Sequence, residues 1–238
     1  MLINAEFPLP GGRVIRYTLR TSSRARWVSG WIRPETGLVV TVPSHATPQE
    51  AEAFLVKHQQ WVVRQLDRWA ARCAQLPRPW PYGTSLLYRG EGHEVEVCKA
   101  RSGGVERTPD LRLLVRAPSA GIDGARRVLQ RWLKEEAAVM LSRRVEALGA
   151  SMGLRAKRLY ARNLRSSWGR CWPSGSLSFN YRLIMAPPHI LDYVVVHELA
   201  HLKEPNHSSR FWEVVGGQFP AYRPARTWLR TFGPCLSV

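Results

Sequence analysis

Short apolar runs separated by Ser, Gly and Pro occupy residues 14 to 42: VIRYTL, ARWVSGWI and GLVVTVP. Runs of that length, rich in β-branched and aromatic residues and bounded by turn formers, predict strands. The period then changes. In TPQEAEAFLVKHQQWVVRQLDRWA, residues Phe54, Leu55, His58, Trp61, Val62 and Trp69 recur at helical spacing. Thr47 takes the N-cap position, Pro48 the first helical position and Glu50 the place three residues after the cap, an arrangement that opens a helix. The Pro-rich LPRPWPYG interrupts the pattern, and SLLYRG, HEVEVC and LRLLVRAP predict a second group of short strands.

A longer helix follows in GARRVLQRWLKEEAAVMLSRRVEALGASMG. It sets Leu129, Trp132, Leu133, Met140, Leu141, Val145 and Leu148 on one stripe and reaches its stop signal between Gly149 and Gly153. A strand at KRLYAR, a helix opening near Pro188, another from Ser208 to Gly216 and a last one from Arg226 to Phe232 complete the pattern. No internal repeat is visible. The order of elements predicts an α+β protein in two regions, a β-rich one with a single helix over 1–120 and a second over 121–238.

The helix VVVHELAHLKEPNH is the informative one. Its apolar residues predict burial, yet it carries His197, Glu198 and His201, groups that cost several kcal/mol to bury without partners. His197 and His201 are four apart, so on a helix they rise about 6 Å and share a face. Two imidazoles so placed reach one ion, and zinc binds them at about 2.0–2.1 Å while a catalytic site keeps one position open. Glu198 then lies where it can take a proton from water, which is the physical content of an HExxH motif. A third ligand is needed. His207 is the first candidate, because Pro205 ends or bends the helix and turns the chain back; Glu204 and Glu213 are the alternatives. The His201-to-His207 spacing equals that of the metzincin signature, but Glu204 stands in place of its glycine. His58 and His93 have no ligand at helical spacing and read as structural.

Composition bounds the partners. With 45% hydrophobic residues and a formal net charge of +17, the chain is folded and strongly basic. Its arginines are dispersed, so a dedicated nucleic-acid arm is not indicated, although nucleotides, nucleic acid or acidic proteins remain candidate partners. Cys73, Cys98, Cys171 and Cys235 are far apart with no CxxC pair, which fits reduced thiols. No segment approaches the roughly 20 apolar residues of a membrane span. We therefore expect a soluble, cytoplasmic protein with no membrane partner.

The segment SSWGRCWPSGSLSFNYRLIMAPPHILDYVVVHELAHLKEPNHSSRFWEVV, followed by FPAYRPARTWL, resembles the YgjP-type family of zinc metallohydrolases, related to the SprT and WLM zincin-like domains. The resemblance is dense over residues 155–232 and extends to RARWVSGWIRPETGLVVTVP and to the two long helices. It implies a zincin-like α+β domain over 121–238 behind the mostly β N-terminal element. It also implies one Zn²⁺ per chain held by His197, His201 and His207, and Glu198 as general base. The family pattern has a basic residue before Trp-Gly and a serine after it, whereas this chain has Ser167 and Arg170 there, so Arg165 or Arg170 would supply the charge. Candidate substrate-facing residues are Arg165, Trp168, Arg170, Asn180, Arg182, Tyr222 and Arg223, and Cys171 reads as a packed thiol. The activity implied is that of a zinc-dependent hydrolase, first a metallopeptidase acting on a peptide or protein, with a strand near SLSFNY offering a backbone edge. Alternatives are hydrolysis of a nucleoside triphosphate at the same metal, and a DNA-associated SprT-like protease or nucleic-acid-binding module.

Overall fold

The computed structural model describes residues 2–9, 12–33, 37–76, 84–119, 121–164 and 167–238. They fall into two compact units, Met1–Leu76 and Pro77–Val238. In the first, strands β1 (Leu2–Pro8), β2 (Val14–Ser22), β3 (Ser29–Arg33) and β4 (Gly37–Pro43) precede helix α1 (Pro48–Cys73). The sheet order is β1-β2-β4-β3, with the central β2–β4 pair parallel and both outer pairs antiparallel. Alternation along β2 buries Ile15, Tyr17 and Leu19. In register, Tyr17 lies beside Leu38 and Leu19 beside Val40, and Ala51, Leu55 and Val62 of α1 complete that core. Phe54 approaches β3 so closely that a Cβ on Gly30 would lie 2.6 Å from its ring, so any other residue there would displace the ring.

The second unit begins with β5 (Ser85–Tyr88), β6 (Glu91–Lys99), β7 (Gly104–Arg107), β8 (Arg112–Ala117) and helix α2 (Ile122–Met152). The sheet runs β5-β6-β8-β7, again with a parallel central pair between antiparallel outer ones. Four strands in this order followed by a long helix therefore occur twice, a repeat of topology that the sequence did not reveal. Such a sheet-and-helix layer asks only for apolar residues at facing positions, so two copies need share no residues. The division between compact units falls at 76/77, and within the second unit the β5–β8 sheet packs on α2.

Two strands that the sequence pattern does not predict, β1 and β7, sit at sheet edges. The helices match closely: Pro48 opens α1, and α2 ends at Gly153 in the left-handed conformation with φ 65°. Beyond α2 come β9 (Arg158–Arg162), β10 (Gly169–Cys171), β11 (Ser176–Asn180), a 3-10 turn (Tyr181–Met185), and helices α3 (Pro188–Ala200), α4 (Ser209–Gln218) and α5 (Tyr222–Phe232). The last starts a turn earlier than expected.

Two devices hold α3 in place. The hairpin tip between β5 and β6 donates from Arg89 N to Ile184 O (2.7 Å) and from Gly90 N to Met185 O (3.1 Å). Gly90 has φ 86°, and a Cβ on it would lie 2.9 Å from Pro187 Cα, so glycine lets the hairpin dock where α3 begins. Farther along, Arg144 of α2 grips Asp192 of α3 through two parallel bonds, Nε to Oδ1 at 2.6 Å and Nη2 to Oδ2 at 2.9 Å. Among the described residues no helix is long and apolar enough to cross a membrane.

Candidate metal centre

Helix α3 is buried on nearly all sides, through Ile190, Leu191, Tyr193, Val194, Val195, Val196, Leu199 and Ala200. Its C-terminal end carries His197 and Glu198, with His201 as the C-cap. The chain leaves the helix at Pro205 and returns to start α4, whose N-cap Ser208 accepts from Phe211 N at 3.3 Å. That return brings His207 to the first two histidines. Ligand nitrogens of His197, His201 and His207 all lie within 4.8 Å of one another, and Nε2 of His207 stands 3.0 Å from Nε2 of His197. Neither Glu204 nor Glu213 belongs to this cluster among the described residues. Glu204 contributes its backbone carbonyl, 3.1 Å from Nδ1 of His201, a bond that orients the ring and leaves Nε2 to the cluster.

The rings share an aromatic floor. Phe211, fully buried, stacks on His201 with centroids 4.5 Å apart and meets His197 and His207 edge-on at 4.9 and 4.8 Å. Trp212 stacks on His207, and Tyr222 on Trp212. Burial, with the neighbouring imidazoles of His201 and His207 adding to it, pulls His197 down to about 3. Burial likewise lowers His207, with a further contribution from His201 and Arg226. Both are neutral at pH 7, the form that binds a cation.

Glu198 behaves in the opposite sense. Burial pushes its carboxyl up to about 7, against the pull of the Cys171 backbone N–H, which it accepts, and of the Arg170 charge. Its Oε2 is buried without a hydrogen-bond partner among the described residues, as is Nδ1 of His197. The carboxylate packs on the backbone of Gly169. The donor set fits a divalent metal: three imidazoles converge, and a buried carboxylate beside them has an oxygen left over. Cavity space of about 950 Å³ opens onto this group, lined by Trp168, Arg170, Cys171, Tyr193 and the cluster itself.

The remaining sequence-predicted residues separate into three sets. Trp168 and Arg170 line the cavity with the histidines, Arg170 lying over the Trp172 ring at 5.1 Å. Asn180 and Arg182 are buried and bonded within the fold, Asn180 Nδ2 to Leu164 O at 2.8 Å and Arg182 Nη1 to Leu236 O at 3.4 Å. Tyr222 and Arg223 line an adjoining cavity, with Arg223 Nε donating to Tyr222 Oη at 3.2 Å. Arg165 lies outside the described residues. The strand SLSFN expected to offer an edge is β11, paired on both sides by β9 and β10, which are the outer strands of the sheet. Burial, and then the Glu198 charge, raise the Cys171 thiol, keeping it protonated as a packed group. Cys98 and Cys171 are free thiols, as expected of reduced cysteines. His93 is buried with Nδ1 3.2 Å from Glu91 O, away from the cluster.

Sequence reasoning passed over Gly169 and Phe211. Gly169 was visible only as half of a Trp-Gly pair, and Phe211 as one more apolar residue on a short helix. No curated protein and no solved structure matches the chain. The family model described as YgjP-like, metallopeptidase domain, matches residues 30–232, and the histidine cluster placed to bind a metal ion lies inside that span. The chain thus belongs to the YgjP-like family.

Proposed function

We propose that the protein is a zinc-dependent peptidase whose ion is held by His197, His201 and His207. The observation that carries this reading is the convergence of three imidazoles beside a buried carboxylate with an oxygen unpartnered among the described residues. Held there by His197, His201 and His207, zinc would supply the Lewis acidity that acidifies a water molecule and polarises a carbonyl. Glu198 takes the proton of the attacking water onto its carboxylate and returns it to the leaving amine. The Cys171 N–H holds the carboxylate in place. Arg170 and Trp168, at the cavity wall, orient substrate, and β10, an outer strand of its sheet, offers backbone groups to an extended chain. Asn180 and Arg182 brace this wall from within, and residues 121–238 form the catalytic region.

A second reading, hydrolysis of a phosphoanhydride such as a nucleoside triphosphate, is favoured by one observation: the adjoining cavity is lined by Arg223, Arg226 and Arg230. Nucleic-acid association rests on net charge alone. The test is hydrolysis by the zinc-loaded chain of a mixed peptide library and, separately, of the nucleoside triphosphates, with Glu198→Gln as control. Peptide cleavage lost in the variant supports the peptidase; triphosphate cleavage lost in the variant transfers the reading to the second substrate class.

A further inference from the structure

Helix α5, YRPARTWLRTF, carries Arg223, Arg226 and Arg230 at spacings of three and four, which sets three cations on one face of an eleven-residue helix. They line a cavity of about 710 Å³ together with Trp168, Tyr193, Trp212 and Tyr222. Among the described residues no carboxylate lines it. None of the three arginines is in an ion pair with Asp or Glu among the described residues. Like charges at this spacing repel, so a helix built this way holds a cost that an anion would relieve.

The arginines are also held. Arg226 lies over the Trp212 ring at 5.0 Å, and Arg223 Nε is fixed by the Tyr222 hydroxyl. Trp212 and Tyr222 are themselves stacked, centroids 5.2 Å apart and rings 20° from parallel. A guanidinium stacked on an aromatic face keeps its in-plane N–H donors for a planar or tetrahedral oxyanion. Trp168, Tyr193 and Leu229 line this cavity and that of the histidine cluster, so the two adjoin.

We propose that the arginine face of α5, with the Trp212–Tyr222 stack, is a subsite for an oxyanion group of the substrate, beside the bond that is hydrolysed. Carboxylate and phosphate share the chemistry required: a delocalised negative charge accepting from several N–H donors. The word substrate rests on the hydrolase reading; the anion site does not. It makes the preferred substrate an acidic one, and it gives Arg226 and Arg230 a role in choosing it.

The test is calorimetric titration of the zinc-supplied full chain with succinate and, separately, with inorganic phosphate. It is repeated on the double variant Arg226→Gln with Arg230→Gln, and on a charge-matched control, Arg20→Gln with Arg24→Gln. We expect saturable binding of at least one probe, weakened tenfold or more in the α5 variant and unchanged within twofold in the control. Tighter binding of succinate assigns the site to a carboxylate; tighter binding of phosphate assigns it to a phosphate. Absence of saturable binding for both probes, or equal weakening in both variants, overturns the subsite. Saturable binding to a chain that hydrolyses nothing keeps the subsite and removes the hydrolase, whereas hydrolysis of an acidic substrate with KM unchanged in the α5 variant keeps the hydrolase and removes the subsite.

Discussion

A Cβ built on Gly169 would lie 2.5 Å from both Cγ and Oε1 of Glu198. The position is closed to any side chain by the carboxylate itself, and Gly169 sits in β10, whose backbone pairs with Phe179 and has little freedom to retreat. Gly169→Ala therefore moves Glu198 and leaves the histidines in place. Displacements of about 1 Å at a reacting group cost on the order of 10²-fold in rate. We expect a loss of that size in kcat with zinc content unchanged, measured side by side on one preparation.

Glu198→Gln should remove hydrolysis and keep the metal, and it should also stabilise the metal-free protein in a pH-dependent way. The carboxyl binds its proton up to about 7 in the folded chain, against 4.5 ordinarily. Between those values the native state holds a proton that the unfolded state has released, so the contribution of Glu198 is fully present below about 4.5 and is lost as pH rises through 7. Glutamine does not ionise. Melting curves of the metal-free proteins should show the variant melting higher at pH 8 and the gap closing by pH 4.5; a constant gap would mean that ionisation plays no part.

Phe211 is the shared floor of the three imidazoles, so its removal should reach the metal through the rings. Phe211→Ala leaves a large void and should cost about 3–5 kcal/mol of stability. Phe211→Leu keeps most of the volume and the fold but loses the ring faces against which the histidines pack. Zinc affinity in the leucine variant, read by competition with a chelating dye, should fall about 10- to 100-fold, as for other groups that orient metal ligands. Unchanged affinity would show that the histidines orient themselves.

Tyr88 offers a test far from the cluster. Its hydroxyl donates to Glu136 Oε2 at 2.5 Å, linking β5 to α2, and burial together with that bond pushes it up to about 12. The neutral phenol is favoured on folding. Its contribution is complete below pH 10 and is lost between 10 and about 12. Wild-type stability should decline across that interval, and Tyr88→Phe should show a lower and flatter profile there, with phenolate absorbance reporting the missing titration.

Much of this was legible because the local signals agree. His197, Glu198 and His201 are set by helical spacing, His207 by the proline that ends the helix, and α1 and α2 by their caps. The strands β1 and β7 were missed because edge strands bury little: β7 shows two half-buried residues followed by two exposed ones, with no alternation to detect. The burial of Arg182 was equally hidden, since a charge in a sequence carries no sign of whether it faces substrate or supports the chain beneath. Which strand of the β9–β11 sheet has a free edge depends on pairing between segments far apart in sequence. The same holds for Gly169 beneath Glu198, a contact 29 positions apart that no periodicity announces.

The central claim is the three-histidine centre, and metal content tests it most directly. Protein purified without an affinity tag and supplied with zinc should carry about one zinc per chain by plasma mass spectrometry. His197→Ala and His207→Ala should each lose it while remaining folded by circular dichroism. Full zinc in His207→Ala would contradict the third ligand, and a wild-type chain that takes up no transition metal would contradict the centre as a whole.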